Sequence, residues 1–163
     1  MHNTGTSLKQ KVPGLLAFFA GCGVLIWLDQ WTKALATAHL KDQDPIILWR
    51  GVFQLQYLEN RGAAFGMLQG QQFFFLLIAL AVFAAVAFAL YRMPFTRRYF
   101  PLGLCMALLG SGALGNLIDR VSQQFVVDFF YFSLINFPIF NVADCYVTGA
   151  AFLLVILVMG YYR

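Results

Sequence analysis

The sequence predicts an all-α membrane protein: four transmembrane helices with a small extracytoplasmic β-sheet and loop region. Three observations predict it. Of 163 residues, 61% are hydrophobic and 11% charged, and the mean hydropathy is +0.72, whereas a soluble domain is apolar in roughly half of its residues. Four runs, at 12–28, 73–91, 99–118 and 145–162, carry few or no charges and approach the ~20 residues that a spanning helix needs. The charges are also sorted by position. Lys9, Lys11, Arg92, Arg97, Arg98 and Arg163 flank the runs on one side of the membrane, and all seven acidic residues fall on the other with Lys33, Lys41, Arg50, Arg61 and Arg120.

A single polytopic domain follows, with spans at about 12–30, 72–91, 99–118 and 143–162 and outer loops at about 32–71 and 119–142. The basic short loop and tail put both termini in the cytoplasm. The net charge of +4 sits at the membrane flanks, so it argues for no nucleic-acid partner. Cys22, Cys105 and Cys145 are odd in number and lie in or beside apolar runs, without metal or disulfide spacing; they read as small core residues.

In chain order, residues 1–11 are a polar, basic tail. The stretch VPGLLAFFAGC at 12–22 has the look of a secretory signal ending in a lipid-modified cysteine. A cleaved lipoprotein would continue as a polar chain, whereas this run stays apolar through Leu28 and three more spans follow. It reads as the first transmembrane helix. That helix leaves through DQWTK, where Asp29 and Lys33 stand four apart in the acid-before-base order that suits pairing. Spacing alone favours an interfacial ion pair beside Trp27 and Trp31; the functional alternative is that the pair braces a site.

Asp42, Gln43, Asp44 and Pro45 mark a turn. The alternation Phe53, Gln54, Leu55, Gln56, Tyr57 then suggests a strand with one apolar face, which must lie at or above the headgroups because open strand edges cannot sit in hydrocarbon. The following ENRGAAFG joins a polar Asn60 to small Gly62, Ala63 and Ala64, which suits either a close backbone approach or a tight turn. The second span has no polar residue and reads as scaffold. A basic loop leads to Pro101, fit for the first turn of the third helix, whose Gly103, Gly110, Gly112 and Gly115 allow close helix packing in lipid. Packing does not account for Asn116, Asp119 and Arg120 on its last turn.

Asp119, Asp128 and Asp144 must lie near one membrane surface, since the third helix ends at the first and the fourth begins at the last. Carboxylates beside hydrocarbon are expensive unless paired or working. Two carboxyls close together cannot both ionise cheaply, so one keeps a proton while the other is charged; the pair then offers an acid and a base for hydrolysis. Asp128, among Val126, Val127, Phe129 and Phe130, has an apolar setting, and Asp144 stands at a helix start where a carboxylate is favoured. Environment favours Asp128 with Asp144 over pairings that use Asp119; capping and ion pairing alone is the competing account. His2 and His39 are remote from the aspartates, which leaves no His triad or zinc set, and Ser111 and Ser122 lack a GxSxG setting.

Five motifs in order, DQWTK at 29–33, NRGAAF at 60–65, GNLIDR at 115–120, VVDF at 126–129 and FNVAD at 140–144, make the chain resemble the lipoprotein signal peptidase family, also called signal peptidase II, aspartic peptidase family A8. The resemblance implies a multi-pass enzyme of the bacterial inner membrane with its active site at the periplasmic face. It would remove signal peptides from diacylglyceryl-modified prolipoproteins on the amino side of the lipidated cysteine. It further implies Asp128 and Asp144 as the catalytic dyad. Asp29, Lys33, Asn60, Asn116, Asp119, Arg120 and Asn141 would be supporting residues, with Arg120 on substrate backbone. Prolipoprotein substrates, membrane lipid, sensitivity to globomycin and a monomer without metal or cofactor complete the expectation. The rivals are a proton-coupled carrier, which would place ionisable groups near the bilayer midplane in repeated halves, and a purely structural subunit.

Overall fold

A computed structural model of the protein describes residues 8–62 and 70–162, with side chains from residue 11 onward. Lys9, Ala63, Ala64 and Arg163, named above, therefore lie outside the described side chains. Four helices are long and apolar enough to cross a bilayer: α1 (Leu8–Leu40), α2 (Gln72–Arg92), α3 (Phe100–Gln123) and α4 (Val142–Ile156), the last continued by a π-turn at Leu157–Tyr161. Three strands, β1 (Ile46–Trp49), β2 (Phe53–Asn60) and β3 (Val126–Tyr131), form one antiparallel sheet in the order β1-β2-β3.

The contacts sort the molecule into two ends. At one, Lys11 Nζ donates to the Tyr91 carbonyl at 3.3 Å and the Tyr162 hydroxyl to that of Arg98 at 3.0 Å, which brings together the start of α1, the α2–α3 turn and the end of α4. The sheet and all the aspartates of the last two motifs lie at the other. The central helix is α3, which packs on α1, α2 and α4. Its glycines permit this closeness: a Cβ at Gly112 would come within 2.6 Å of the Ala143 carbonyl and 2.8 Å of Val147 Cγ2. Below that crossing, Val86, Cys105, Met106, Ala150 and Leu157 form a buried apolar cluster, while large residues such as Phe73, Phe88 and Phe152 point outward, as the hydrocarbon side of a membrane helix allows.

Two elements differ from expectation. The first helix runs on to Leu40 instead of leaving at Lys33, because Asp29, Lys33, Ala36 and Leu40 share one face and all four are buried. Ala36 and Leu40 pack against Val127 and Phe129 of β3, so the sheet supplies the apolar partner that the extra turns need. The stretch 126–131 is a strand, β3, whose role no alternation announced; Asp128 sits opposite Leu58 of β2. Among the cysteines, Cys105 is buried, Cys22 partly so and Cys145 exposed, which corrects the reading of all three as core residues.

Candidate active site

The polar residues are assembled from α1 outward. Lys33, 3% exposed, is held by three acceptors: Asp29 Oδ2 at 2.9 Å, Asp119 Oδ2 at 3.0 Å and Asn116 Oδ1 at 3.0 Å. An ammonium has three donors, and all are used; a buried cation so satisfied avoids the heavy cost of an unpaired one. This corrects the reading of Asp29 and Lys33 as an interfacial pair, since both are buried and joined to α3. Asp29 also accepts from the Ala143 backbone N–H at 2.9 Å, one of the orphan donors in the first turn of α4. Gly115 makes this possible, because a Cβ there would collide with the Asp29 carboxylate.

Asp119 closes the next link. Its Oδ2 accepts from the Val127 N–H at 3.2 Å, fastening β3 to the end of α3. Gln30, which the sequence reading passed over, donates through Nε2 to Asp119 Oδ1 at 3.0 Å, Asp29 Oδ2 at 3.1 Å and the Gly115 carbonyl at 3.2 Å. The only signal for it was its position beside Asp29 in DQWTK. Gly115 serves more than helix packing, since the space a Cβ would take is filled by the buried Asp29 carboxylate.

Asn141 joins the two remaining aspartates. The chain leaves β3, turns at Ser133–Ile135 and returns so that Phe140 bonds back onto Phe130 in both directions, at 2.8 and 3.0 Å. That return sets Asn141 beside Asp128, where its Nδ2 donates to Asp128 Oδ1 at 2.7 Å. The same residue caps α4: its Oδ1 accepts from the Asp144 N–H at 3.0 Å, and its own N–H donates to Asp144 Oδ2 at 3.1 Å, a reciprocal capping box. The other oxygens are also met, Asp128 Oδ2 by Asn60 Nδ2 at 2.8 Å and Asp144 Oδ1 by Asn116 Nδ2 at 2.8 Å.

The electrostatics divide the four carboxylates into two pairs. Asp29 and Asp119 take Lys33, whereas among the described residues no cation lies within ion-pair distance of Asp128 or Asp144. Burial pushes the Asp128 carboxyl up from its usual 3.8 to about 7, and the charge of Asp144 pushes in the same direction, against the lowering by the Asn60 and Asn141 amides. Such a pair titrates as a unit and can hold one proton beside one charge. Arg120 makes no ion pair with it: Nη2 donates to the Gly62 carbonyl at 3.1 Å, and the guanidinium lies 4.2 Å from the Phe75 ring centroid, with Nε unpartnered. Gly62 in turn donates to Asn60 Oδ1 at 3.0 Å, so Asn60 and Arg120 meet on one backbone turn; the rest of NRGAAF lies outside the described residues. Asp29, Lys33, Asn60, Asn116, Asp119, Arg120, Asp128, Asn141 and Asp144 are thus joined in one bonded group. Among the described residues, no three His, Cys, Asp or Glu side chains are grouped as metal ligands.

Comparison with known proteins identifies the family. A family model described as signal peptidase (SPase) II matches residues 22–160. The lipoprotein signal peptidase of Clostridioides difficile is 47% identical over 132 residues, covering 80% of this chain and 86% of the relative. That of Streptococcus thermophilus is 42% identical over 133 residues, covering 82% and 86%. A solved structure described as a bacterial membrane enzyme superposes with a TM-score of 0.79 at 29% identity, over 88% of this chain and 87% of that one. Four apolar helices and these neighbours make it a multi-pass bacterial membrane protein. Matched along most of its length in sequence and in fold, the chain belongs to the signal peptidase II family.

Proposed function

We propose that this protein is a membrane aspartic endopeptidase that removes signal peptides from bacterial prolipoproteins, with Asp128 and Asp144 as its catalytic pair. The observation that carries the reading is Asn141, which holds both carboxyls through one residue (Asp128 at 2.7 Å and Asp144 at 3.1 Å) at a point where, among the described residues, neither has an ion-pair partner. Asp128, pushed up to about 7, keeps the shared proton. Asp144, in the first turn of α4 where a helix favours negative charge, takes a proton from a water lodged between them as the water oxygen attacks the scissile carbonyl. Asp128 then protonates the departing amine, and the two exchange roles for the next turnover. The substrate is a diacylglyceryl-modified prolipoprotein cut on the amino side of the lipidated cysteine. Its signal helix and acyl chains stay in the bilayer, and Arg120, beside Gly62, steadies its backbone. One copy of the chain suffices, because all nine polar side chains come from it.

The basic residues Lys11, Arg92, Arg97 and Arg98 gather at the opposite end, which supports a cytoplasmic placement of both termini and a periplasmic active site. Asp128 sits on a strand and Asp144 in the first turn of α4, which disfavours a carrier with ionisable groups at mid-membrane. The test is cleavage of a lipid-modified prolipoprotein by purified protein in detergent. Asp128→Asn and Asp144→Asn each abolish release of the signal peptide while the protein stays folded, and globomycin inhibits the parent chain. Normal cleavage by either variant would sink the assignment, and a dead but folded Asp119→Asn with an active Asp128→Asn would redraw the pair.

A further inference from the structure

Away from the aspartates, a cleft of about 920 Å³ runs between α1 and α3 and is closed at its far end by the α2–α3 turn. Its bed is made of small residues, Gly14, Ala17 and Gly21 on α1 and Gly103 and Ala107 on α3. Phe95 of the turn plugs the end against Gly14, where a Cβ would strike its ring. Among the described residues, no side chain fills the middle: a Cβ at Gly21 meets nothing within 4 Å. From Gly14 to Leu25 the cleft follows roughly 16 Å of α1 at the helical rise, the depth of one leaflet of a ~30 Å hydrocarbon core.

Its lip is basic. Arg97 lines the cleft itself, Arg98 adjoins it, and Lys11 and Arg92 stand at the same end, with Lys11 bonded to the Tyr91 carbonyl at 3.3 Å. All seven acidic residues of the chain, from Asp29 to Asp144, belong to the other end. Among the described residues, none of these cations lies within ion-pair distance of an acidic side chain. A signal helix is a poor occupant, because it would bring its own positively charged leading segment against the same four cations. A lipid with a negative headgroup is complementary throughout, since basic pockets between membrane helices bind such headgroups.

We propose that the α1–α3 cleft is a binding site for one anionic glycerophospholipid, an acyl chain lying on the glycine bed and the phosphate at Arg97. The occupied cleft joins α1 to the α2–α3 turn at the end where helix contacts are fewest in polar bonds. The site is independent of the peptidase chemistry.

The test is native mass spectrometry of the full chain released from detergent, with dioleoyl phosphatidylglycerol and dioleoyl phosphatidylcholine as competing probes. The parent chain retains one phosphatidylglycerol in preference to phosphatidylcholine. Arg97→Gln lowers that preference about fivefold, the worth of one basic residue at a lipid surface. Gly21→Leu, which fills open space on a helix, abolishes retention of the single lipid. Arg50→Gln, which removes the same charge at the sheet end, leaves the preference unchanged. Equal retention of the two lipids by the parent chain would overturn the proposal, as would an Arg50→Gln effect matching that of Arg97→Gln. So would a Gly21→Leu variant that keeps its phosphatidylglycerol but needs several times more prolipoprotein for half-maximal cleavage, for the cleft would then take the signal helix.

Discussion

Lys33 is the cation on which the buried charges depend. It satisfies Asp29, Asp119 and Asn116 together, and Asn116 passes the order on to Asp144. Lys33→Met leaves two buried carboxylates without a counter-charge. It is expected to lower stability by about 3–5 kcal/mol, read as a fall in the unfolding midpoint in detergent, with cleavage lost as well. Asp128 behaves in the opposite sense, because its carboxyl is raised to about 7 in the fold. Below about pH 4 the group is protonated in both folded and unfolded chains and contributes nothing to pH dependence. As pH rises from there, the unfolded carboxyl ionises while the folded one keeps its proton, so stability falls by up to ~4 kcal/mol until about pH 7 and then levels. Asp128→Asn removes that slope: thermal unfolding of the variant at pH 5 and pH 8 should differ less than in the parent. The parent's cleavage rate should decline above about pH 7 as the pair loses its shared proton.

At the scale of elements, α4 is placed by its cap. Asn141 begins the helix and also reaches Asp128, and a single substitution can separate these duties. A serine at position 141 keeps an oxygen for the Asp144 N–H but loses the amide donor. Asn141→Ser should therefore keep the cap but lose the buried bonds of the amide, lowering stability by about 1–3 kcal/mol, and cleave at least tenfold more slowly. Asn141→Ala should lose about 1 kcal/mol in addition. Equal activity of the serine variant would show that the amide does not align the pair. The strand β3 explains why this junction was hard to read in advance. VVDFFY is a short apolar run, which periodicity cannot assign to helix or strand, and its partner β2 lies 68 positions away at the Asn60–Asp128 bond. The long α1 was hidden for a related reason, as its last turns are stabilised by β3 and not by lipid.

On the scale of the whole molecule, charge and hydrocarbon divide the work. The apolar helices leave large side chains facing outward, and the charged side chains described gather toward the two ends, the basic one and the one carrying the sheet. If the termini are cytoplasmic as proposed, a cysteine at Arg50 should react with a membrane-impermeant maleimide added to spheroplasts, whereas one at Arg97 should react only after permeabilisation. The reverse pattern would invert the topology. Membrane residence, the four apolar helices and most of the polar residues of the bonded group were legible in the chain itself, whereas Gln30 and the full length of α1 were not. Each run of about 20 residues meets the bilayer on its own terms, and a charge beside hydrocarbon stands out wherever it falls. What only the tertiary structure decided is which carboxylates share a cation and which are left to each other. Lys33 could have served any of the three later aspartates. It goes to Asp119 because α1 and α3 touch at Gly115, while the return of Phe140 onto β3 carries Asn141 to Asp128. Contacts between residues so far apart in sequence leave no periodic trace in it.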